Sequence, residues 1–557
     1  MDKLRFIAVS GTTDVTENLY VYEYLPDMGG AKELIVVDCG VGFPEEYVYG
    51  VDLSVPDLSY LVKNREGLKG VFISHAHEDH FGALPFLLNE IPEVPIYCSK
   101  LVAGFIEDKL VDYGIRGKKI NVINPQDIAV RVGNFTIDSF RVTHSVPDSL
   151  GFCITTSVGK IFHVPDYKFD WTPVDQKPFD VAKAATLARD GVLALASDSL
   201  GSTSVGYTQS ELDLEKNLEV IIEGAVGRVL FTTISSNISR VQQAINISKL
   251  VGRKVAFVGR STERKAEIAR NLGYLNYDGG MVIPIRKAQN LPPRQITYVI
   301  SGCYGQVGSA LYRVSTDEHQ FLKLQKDDVV IFSADPAPPG TEQTTNYVVD
   351  NLIERGAVVH YYDTQEDLHV SGHGSIKEIE MLLSLVGPKF LIPIGGTVRH
   401  MRAYKTLAQQ MGWEGKNVFE LRNGDVVEFT KNDARLGERV HVKSLLVDGL
   451  GIGDVGEIVL SDRKTLAKEG VVLAVIQTDK SGNVVGTPEL ISRGFVFVKE
   501  NKSFFERASQ EVLKEIRKKV RGGNERDMKR VVVDFLERFF FDETGRRPMI
   551  LPVVVEV

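Results

Sequence analysis

Short apolar runs that each end in a polar residue dominate the first 200 positions of the chain. Runs of this length, bounded by turn residues, predict β-strands. They cover 34–37, 69–74, 135–142, 160–164 and 193–196, and the polar residues that follow them are Asp38, His75, His144, Asp166 and Asp198. Polar side chains at the ends of successive strands indicate an active-site rim on a sheet scaffold.

The pattern changes after about residue 206 to alternating strands and helices. Strands are expected at 228–233, 254–258, 329–333 and 358–362, with helices at 240–250 and 263–272. This β-α-β pattern predicts a mostly parallel sheet covered by helices.

The last third of the chain divides into two parts. Residues 368–430 carry further polar clusters and are expected to rejoin the first domain. The glycine-rich segment 445–456 is interpreted as a connector to a small α/β unit with strands at 470–478, 495–499 and 549–557. Phe505, Ala508, Val512 and Ile516 have the spacing of one buried helix face.

The richest motif lies at 75–80, where three of the 11 histidines of the chain and two carboxylates fall within six residues. Imidazole and carboxylate groups are good ligands for zinc. The spacing lets His75 and His77 bind one metal while Asp79 and His80 face a second. Two metals about 3.5–4 Å apart can activate water and clamp a phosphodiester.

The composition limits the class of protein. A net charge of −8 over 557 residues argues against indiscriminate coating of nucleic acid, although a local basic channel is compatible with it. The four cysteines form no C-x-x-C pair, which fits a reducing cytoplasm. The N-terminus lacks a signal-peptide core and no apolar run reaches the ~20 residues of a membrane span, so no membrane partner is expected.

Taken in order, the motifs resemble the metallo-β-lactamase superfamily and, within it, the β-CASP nucleases of the ribonuclease J family. The resemblance rests on the histidine motif and on segments 18–24, 43–46, 197–199, 206–211, 235–240, 255–261, 369–373 and 545–553. It implies an α/β fold: a metallo-β-lactamase αββα sandwich with an inserted β-CASP α/β domain and a small C-terminal α/β domain. The expected divisions are 1–205 and 366–440 for the sandwich, 206–365 for the insert, 441–460 for a linker and 461–557 for the C-terminal domain.

The resemblance also implies roles for individual residues. His75, His77 and His144 would hold one Zn²⁺, Asp79 and His80 a second, and Asp166 would bridge them, with Mn²⁺ or Mg²⁺ as alternatives. Asp38 would support the metal loop, and Asp79, Asp198 and His373 would be catalytic, with His373 contacting the scissile phosphate or protonating the leaving oxygen. The implied substrate contacts are Ser235, Ser236, Asn237, Arg240, His369, Val370, Ser371, Gly372, His373 and Gly374. A structural Ca²⁺ at Gly50, Asp52 and Asp448 is a further implication, against the simpler interpretation of two turn aspartates.

The chain departs from the family pattern at several places, and two of them lie beside the expected metal ligands. The family reads I-P-V-H-G-E where this chain has Ile392-Pro-Ile-Gly-Gly-Thr397, so Gly395 replaces a histidine that would complete the second metal site. A weakened second site is therefore expected, and His400 is not expected to be the replacement. Pro165 replaces a family glycine beside Asp166.

The function implied by the resemblance is zinc-dependent hydrolysis of RNA in the cytoplasm. It includes 5′-to-3′ exonuclease and endonuclease activity, a preference for 5′-monophosphate ends, and roles in mRNA decay and rRNA maturation. RNA, RNA-decay proteins and further copies of the chain, joined through the C-terminal domain as a dimer or tetramer, are the implied partners. Two alternatives stay open: a weakened or non-catalytic subunit of a ribonuclease J complex, and a hydrolase of this fold that acts on DNA or a small ester.

Overall fold

A computed structural model describes residues 1–27, 29–43, 48, 50–334, 341–449, 451–452, 456–495, 502–520 and 524–557. The chain forms two compact units, of which the first comprises 1–43 and 53–445 and the second 44–52 and 446–557. The expected strand at 495–499 lies outside the described residues from 496 onward, as do residues 44–46 of one family motif.

Two sheets form the scaffold of the first unit. The eight-stranded sheet has the spatial order Ala434–Leu436, Val426–Phe429, Lys3–Ser10, Leu19–Leu25, Glu33–Val37, Leu68–Phe72, Ile96–Cys98 and Ile120–Val122. The six-stranded sheet has the order Pro388–Ile394, Val192–Asp198, Lys160–Val164, Leu150–Thr155, Phe135–Arg141 and Val130–Val132. The strand Pro388–Ile394 pairs in parallel with Val192–Asp198, so the chain after residue 365 does rejoin the first domain.

The two sheets pack face to face through a continuous apolar core. Phe6, Tyr22 and Phe72 of the larger sheet meet Phe152 and Ile154 of the smaller one in one buried cluster. Helices lie outside the sheets, and in chain order they are Ser59–Lys63, Glu78–Phe81, Leu84–Glu90, Lys100–Asp112, Val181–Ala188, Ile376–Val386 and Val398–Gln410. This is the four-layer arrangement that the resemblance implied. A further short strand covers Leu53–Val55.

A second α/β region is inserted between the strands Val192–Asp198 and Pro388–Ile394. Its five strands are all parallel, in the order Lys254–Val258, Ile296–Ile300, Val229–Thr232, Val329–Phe332 and Val358–His360. Its helices are Glu211–Gly224, Ile238–Leu250, Arg260–Leu272, Ile285–Ala288, Ala310–Ser315 and Glu342–Glu354. The expected parallel sheet with helical cover is confirmed.

The second unit is built on a three-stranded sheet and three helices among its described residues. The sheet order is Glu489–Arg493, Val471–Thr478 and Met549–Glu556, and the helices are Glu457–Glu469, Lys502–Lys519 and Glu525–Thr544. A hairpin pairs Leu445–Asp448 with Gly451–Ile452. The expected stripe Phe505, Ala508, Val512 and Ile516 is buried against the sheet.

The helix Glu525–Thr544 was missing from the sequence prediction. Its buried residues Met528, Val532, Leu536 and Phe540 repeat every four positions, which is a helical spacing visible in the sequence. The end of the histidine motif forms a short helix, Glu78–Phe81. Glu78 and Asp79 in the first turn favour this helix because carboxylates interact well with a helix N-terminus.

Candidate metal centre

Three histidine nitrogens converge at the edge of the two sheets. His77 Nδ1 lies 3.2 Å from His75 Nε2 and 3.1 Å from His144 Nε2. Asp166 Oδ2 is 3.5 Å from His75 Nε2 and 3.6 Å from His144 Nε2. One ligand atom from each of these four residues lies within 4.8 Å of all the others. Such a set of nitrogen and oxygen atoms is suited to a tetrahedral zinc ion.

The ring atoms on the far side of these histidines already have partners. His144 Nδ1 lies 2.8 Å from the carbonyl oxygen of Gly372, and His75 Nδ1 lies 3.0 Å from Ser74 Oγ. A partner on one ring nitrogen fixes the tautomer and leaves the other nitrogen as a ligand. Burial also lowers the pKa of His144 to about 4, against the opposing effect of Asp166, so its imidazole is neutral and able to bind a cation. The residues present therefore fit a metal of the zinc type.

Asp38 contacts the segment that carries the histidine motif. Its carboxylate accepts hydrogen bonds from the Ser74 backbone N–H at 2.8 Å and from Ser74 Oγ at 2.9 Å, and lies 2.7 Å from His80 Nδ1. The residue is fully buried and has a φ of 62°, which is uncommon outside glycine. These three contacts hold the loop that carries the histidine motif, which supports the predicted orienting role of Asp38.

The residues expected at the second metal site are less complete. His80 Nε2 lies 3.5 Å from Asp79 Oδ2 and 3.4 Å from Asp166 Oδ2. Burial raises the pKa of Asp79 to about 6. Gly395 offers no side chain, and a Cβ built there would lie 3.5 Å from Asp198 Oδ1 and 3.9 Å from Asp166 Oδ1. The side chain of a histidine at this position would thus start next to the carboxylates of Asp166 and Asp198.

The side chains of His400 and Asn18 lie near Gly395 or the metal ligands, but neither replaces the histidine that the family has at position 395. His400 Nδ1 accepts the Thr397 N–H at 3.2 Å, which caps its own helix and agrees with the expectation that it is not the replacement. Asn18 Nδ2 lies 3.1 Å from His80 Nε2, while its Oδ1 accepts a hydrogen bond from Tyr20. Asn18 was not among the site residues predicted from the sequence, although it lies in one of the family-like segments.

His373 and Asp198 form a pair beside the metal ligands. His373 Nδ1 lies 2.7 Å from Asp198 Oδ2, and His373 Nε2 lies 3.8 Å from Asp166 Oδ2. Burial raises the pKa of Asp198, although His373 opposes this shift. The pair thus directs one ring nitrogen of His373 toward the metal site. The atoms of Asp166, Asp198 and His373 also lie close enough to share a cation.

The loop that carries His373 is held by its own hydrogen bonds. The Gly374 N–H donates to the carbonyl of Tyr167 at 2.6 Å, and the His373 N–H donates to Ser371 Oγ at 3.1 Å. These two backbone N–H groups, at positions that the resemblance implied as substrate contacts, thus stabilise the loop. Val370 is buried, Gly372 contacts His144 as described above, and His369 and Ser371 are half-buried.

Several of the expected substrate contacts in the insert are engaged in packing. Arg240 is fully buried, and its guanidinium donates to Glu211 at 2.8 Å and Ser333 Oγ at 2.6 Å. Asn237 caps the helix Ile238–Leu250 through the Arg240 N–H, and Ser236 is buried. Ser235 is half-buried and accepts a hydrogen bond from Ser261. Arg240 is therefore corrected to a buried partner of Glu211, because a guanidinium with no exposed surface cannot reach RNA.

The implied calcium cluster is occupied by an arginine. In the second unit Arg463 Nη1 donates to the Gly50 carbonyl at 2.8 Å, and Nη2 forms an ion pair with Asp448. Asp52 Oδ2 accepts the Gly449 N–H at 2.9 Å. Guanidinium remains charged at any physiological pH, so it already binds the Gly50 carbonyl and the Asp448 carboxylate, two of the three oxygen groups that Ca²⁺ would need. The residues do not fit calcium, and the two aspartates act as turn and ion-pair residues.

The four-layer fold and the clustered histidines define a metal-dependent hydrolase of the metallo-β-lactamase class, and comparisons with known proteins agree. The family model of the metallo-β-lactamase superfamily matches residues 12–189, that of the ribonuclease J β-CASP domain 226–352, and that of the ribonuclease J C-terminal domain 458–557. The chain belongs to the ribonuclease J family, whose members are metal-dependent ribonucleases.

Curated relatives match over almost the whole chain. Ribonuclease J2 of Bacillus subtilis (strain 168) is 34% identical over 100% of this chain and 99% of its own length. Ribonuclease J 1 of Streptococcus pyogenes serotype M3 is 35% identical over 98% of this chain and 97% of its own. A solved structure of a protein of unknown function from Enterococcus faecalis V583 shares the fold, with a TM-score of 0.53, 16% identity, and coverage of 77% of this chain and all of its own. Within the described residues no helix combines the length and apolarity required to span a membrane.

Proposed function

We propose that this ribonuclease is zinc-dependent and cleaves RNA both as a 5′-to-3′ exonuclease and as an endonuclease, with a preference for 5′-monophosphate ends. The convergence of His75, His77 and His144 on Asp166 is the observation that carries the proposal. The intact first ligand set supports cleavage by the chain itself. Roles in mRNA decay and rRNA maturation in the cytoplasm are part of the proposal and follow from the family.

The metal ligands would divide into two unequal sets. His75, His77 and His144 would hold the first ion, Asp79 and His80 the second, and Asp166 both. Such ions, when bound, lower the pKa of coordinated water from 15.7 to about 7 and neutralise phosphate charge. Because Gly395 contributes no ligand, the second ion would be held more weakly, and Mn²⁺ or Mg²⁺ could take its place.

The His373–Asp198 pair would manage the proton of the leaving oxygen. Asp198 accepts a hydrogen bond from His373 Nδ1. This bond fixes the ring so that Nε2 faces the metal ligands. A protonated imidazole in this position can donate its proton to the departing oxygen, because the ordinary pKa of histidine lies near neutrality. Asp198 would thus act by holding the ring and stabilising its charge.

Assembly through the C-terminal unit is supported by an apolar sheet face. Alternate residues of the sheet, including Val472 and Ala474, are buried by helices, whereas the other face exposes Ile491 (37%), Leu551 (45%), Val553 (40%) and Val555 (41%). A contiguous exposed apolar surface is typical of a protein interface. We propose that this face joins copies of the chain into a dimer or tetramer. RNA-decay proteins remain further proposed partners, without a surface assigned to them.

A weakened or non-catalytic subunit is the second candidate, and Gly395 is the observation that favours it. The two candidates differ in what the purified chain does by itself. The experiment incubates the metal-loaded protein with 5′-monophosphorylated and 5′-triphosphorylated RNA, with and without chelator, and resolves the product lengths. Chelator-sensitive release of mononucleotides from the monophosphorylated RNA is expected. Bound zinc with no cleavage of either RNA would favour the non-catalytic subunit.

A further inference from the structure

Glu78 lies between two of the expected metal ligands, His77 and Asp79, but its side chain binds elsewhere. Its carboxylate forms ion pairs with Lys109 Nζ at 2.7 Å and Lys265 Nζ at 3.5 Å. Lys109 lies on the helix Lys100–Asp112 of the sandwich, and Lys265 lies on the helix Arg260–Leu272 of the inserted domain. One carboxylate in the metal motif thus joins two domains.

The two helices that supply the lysines are packed against each other. A Cβ built on Gly104 would lie 2.8 Å from both Ile268 and Leu272, so the absence of a side chain permits this close approach. Arg264 Nε donates to Asp108 at 2.9 Å, and Nη1 donates to Asp112 at 2.9 Å. The inserted domain therefore packs against the sandwich beside the histidine motif. Within this helix–helix contact, Glu78 lies at the end nearest the expected metal ligands.

The three charged side chains are largely shielded from water. Exposure is 29% for Glu78, 18% for Lys109 and 13% for Lys265. Lys265 Nζ also lies 5.6 Å from the ring centre of Phe105, which favours a fixed position for the cation. Glu78 begins the four-residue helix Glu78–Phe81 and lies directly between His77 and Asp79 in the chain.

We propose that Glu78 is a positioning residue that couples docking of the inserted domain to the geometry of the metal loop. Through Lys109 it anchors the loop to the sandwich, and through Lys265 it holds the insert against the loop. This inference rests on the proposed ribonuclease function, because the KM for RNA is one of its two readouts. The two lysines are therefore expected to have separable effects.

Lys265→Met removes only the contact with the insert. The KM for 5′-monophosphorylated RNA is expected to rise about threefold to tenfold, as for loss of a partly buried ion pair, while kcat and zinc retention stay unchanged. Lys265→Arg should restore the KM because it keeps the charge. Lys323→Met is the matched control, since it removes an exposed lysine of the same insert that pairs with Asp317, and its KM should equal that of the native protein.

Glu78→Gln removes the negative charge on which both ion pairs depend while preserving the shape of the side chain. It is expected to raise the KM as Lys265→Met does and to weaken zinc retention about 10-fold, as for loss of a group that orients ligands. Lys109→Met should weaken zinc retention with little change in KM. Zinc retention is measured by competition with a chromophoric chelator, and folding of each variant is checked by its melting curve.

Either of two KM results would overturn the proposal. One is a Lys265→Met variant with native KM, and the other is an elevated KM that Lys265→Arg does not restore. If the native chain cleaves no RNA, the proposed function fails, yet the chelator competition still decides the anchoring role. Native zinc retention in both Glu78→Gln and Lys109→Met would then show that Glu78 does not position the loop.

Discussion

The histidine-rich centre and the acidic cluster around Asp448 both resembled cation sites in the sequence, but the structure treats them differently. At the histidine centre, nitrogen atoms of His75, His77 and His144 face one another with no cationic side chain among them. At the acidic cluster, Arg463 binds the Gly50 carbonyl and the Asp448 carboxylate. Ligand type and spacing were suggestive in both places, but at the acidic cluster a guanidinium already binds the oxygen atoms.

This difference teaches how a cluster of ligands is recognised. Oxygen atoms with a net negative charge can be satisfied by a nearby guanidinium, which forms several hydrogen bonds at once. When the outward nitrogens of neutral imidazoles carry the proton, the inward nitrogens are all hydrogen-bond acceptors. Such imidazoles cannot form hydrogen bonds with one another through their inward nitrogens. Converging acceptors without a donor therefore indicate a metal more strongly than a cluster of carboxylates does.

The largest expected effect comes from removing a ligand of the first set. His77→Ala should lower RNA cleavage by more than about 100-fold, because even groups that only orient a ligand are worth about 10–100-fold. The fold should be largely retained, since the inter-sheet core lies elsewhere. Cleavage rate and zinc content are measured together in metal-defined buffer, and near-native turnover would contradict a metal mechanism based on this set.

His373→Ala should have the next largest effect. Turnover is expected to fall by about 10²–10⁴-fold, the usual range for loss of a general acid, while bound zinc is retained. Zinc is quantified by elemental analysis of the variant beside the native protein. Because His373 also lies near Asp166, loss of zinc would instead identify it as a ligand.

Gly395→His tests the weaker half of the histidine centre. The native protein should lose its second metal first on mild chelation, and added zinc or manganese should restore activity. The histidine should tighten the second site about 10-fold or more, by comparison with weaker supporting contacts. The φ of 64° at this position should cost about 1–2 kcal/mol of stability. Gly395→Ala controls for that strain, and two equally tight metals in the native protein would show that another residue fills the gap.

Arg463→Ser should have the smallest effect. It tests the acidic cluster around Asp448, the other member of the comparison. The native melting temperature should be the same with Ca²⁺ or with a calcium chelator. The variant should lose about 1 kcal/mol or less, as for a partly exposed ion pair, and should regain stability with Ca²⁺ because the oxygens are then unneutralised. Lys464→Ser, which alters the next residue, is the control. Calcium-dependent melting of the native protein would restore the calcium interpretation.

Much of the fold and of the candidate site could be predicted from local sequence. The strands predicted before Asp38, His144 and Asp166 were confirmed. The alternation of apolar and polar residues and the turn residues that end each strand are local properties of the sequence. The ligand roles of the histidine motif stay predictions, but the structure brings those residues together. The short helix Glu78–Phe81 was not predicted, because four residues carry too little periodicity, whereas Glu525–Thr544 could have been found from its spacing.

What the sequence by itself determined is the family and the order of the domains, and it predicted the residues of the first metal set, because these depend on residue types at fixed short spacings. Only the tertiary structure decided that Arg240 is buried against Glu211, that Arg463 neutralises the acidic cluster, and that Glu78 joins Lys265. Each of these contacts links residues far apart in the chain. A charged residue looks the same in sequence whether it faces solvent, substrate or a buried partner, and packing alone selects among them.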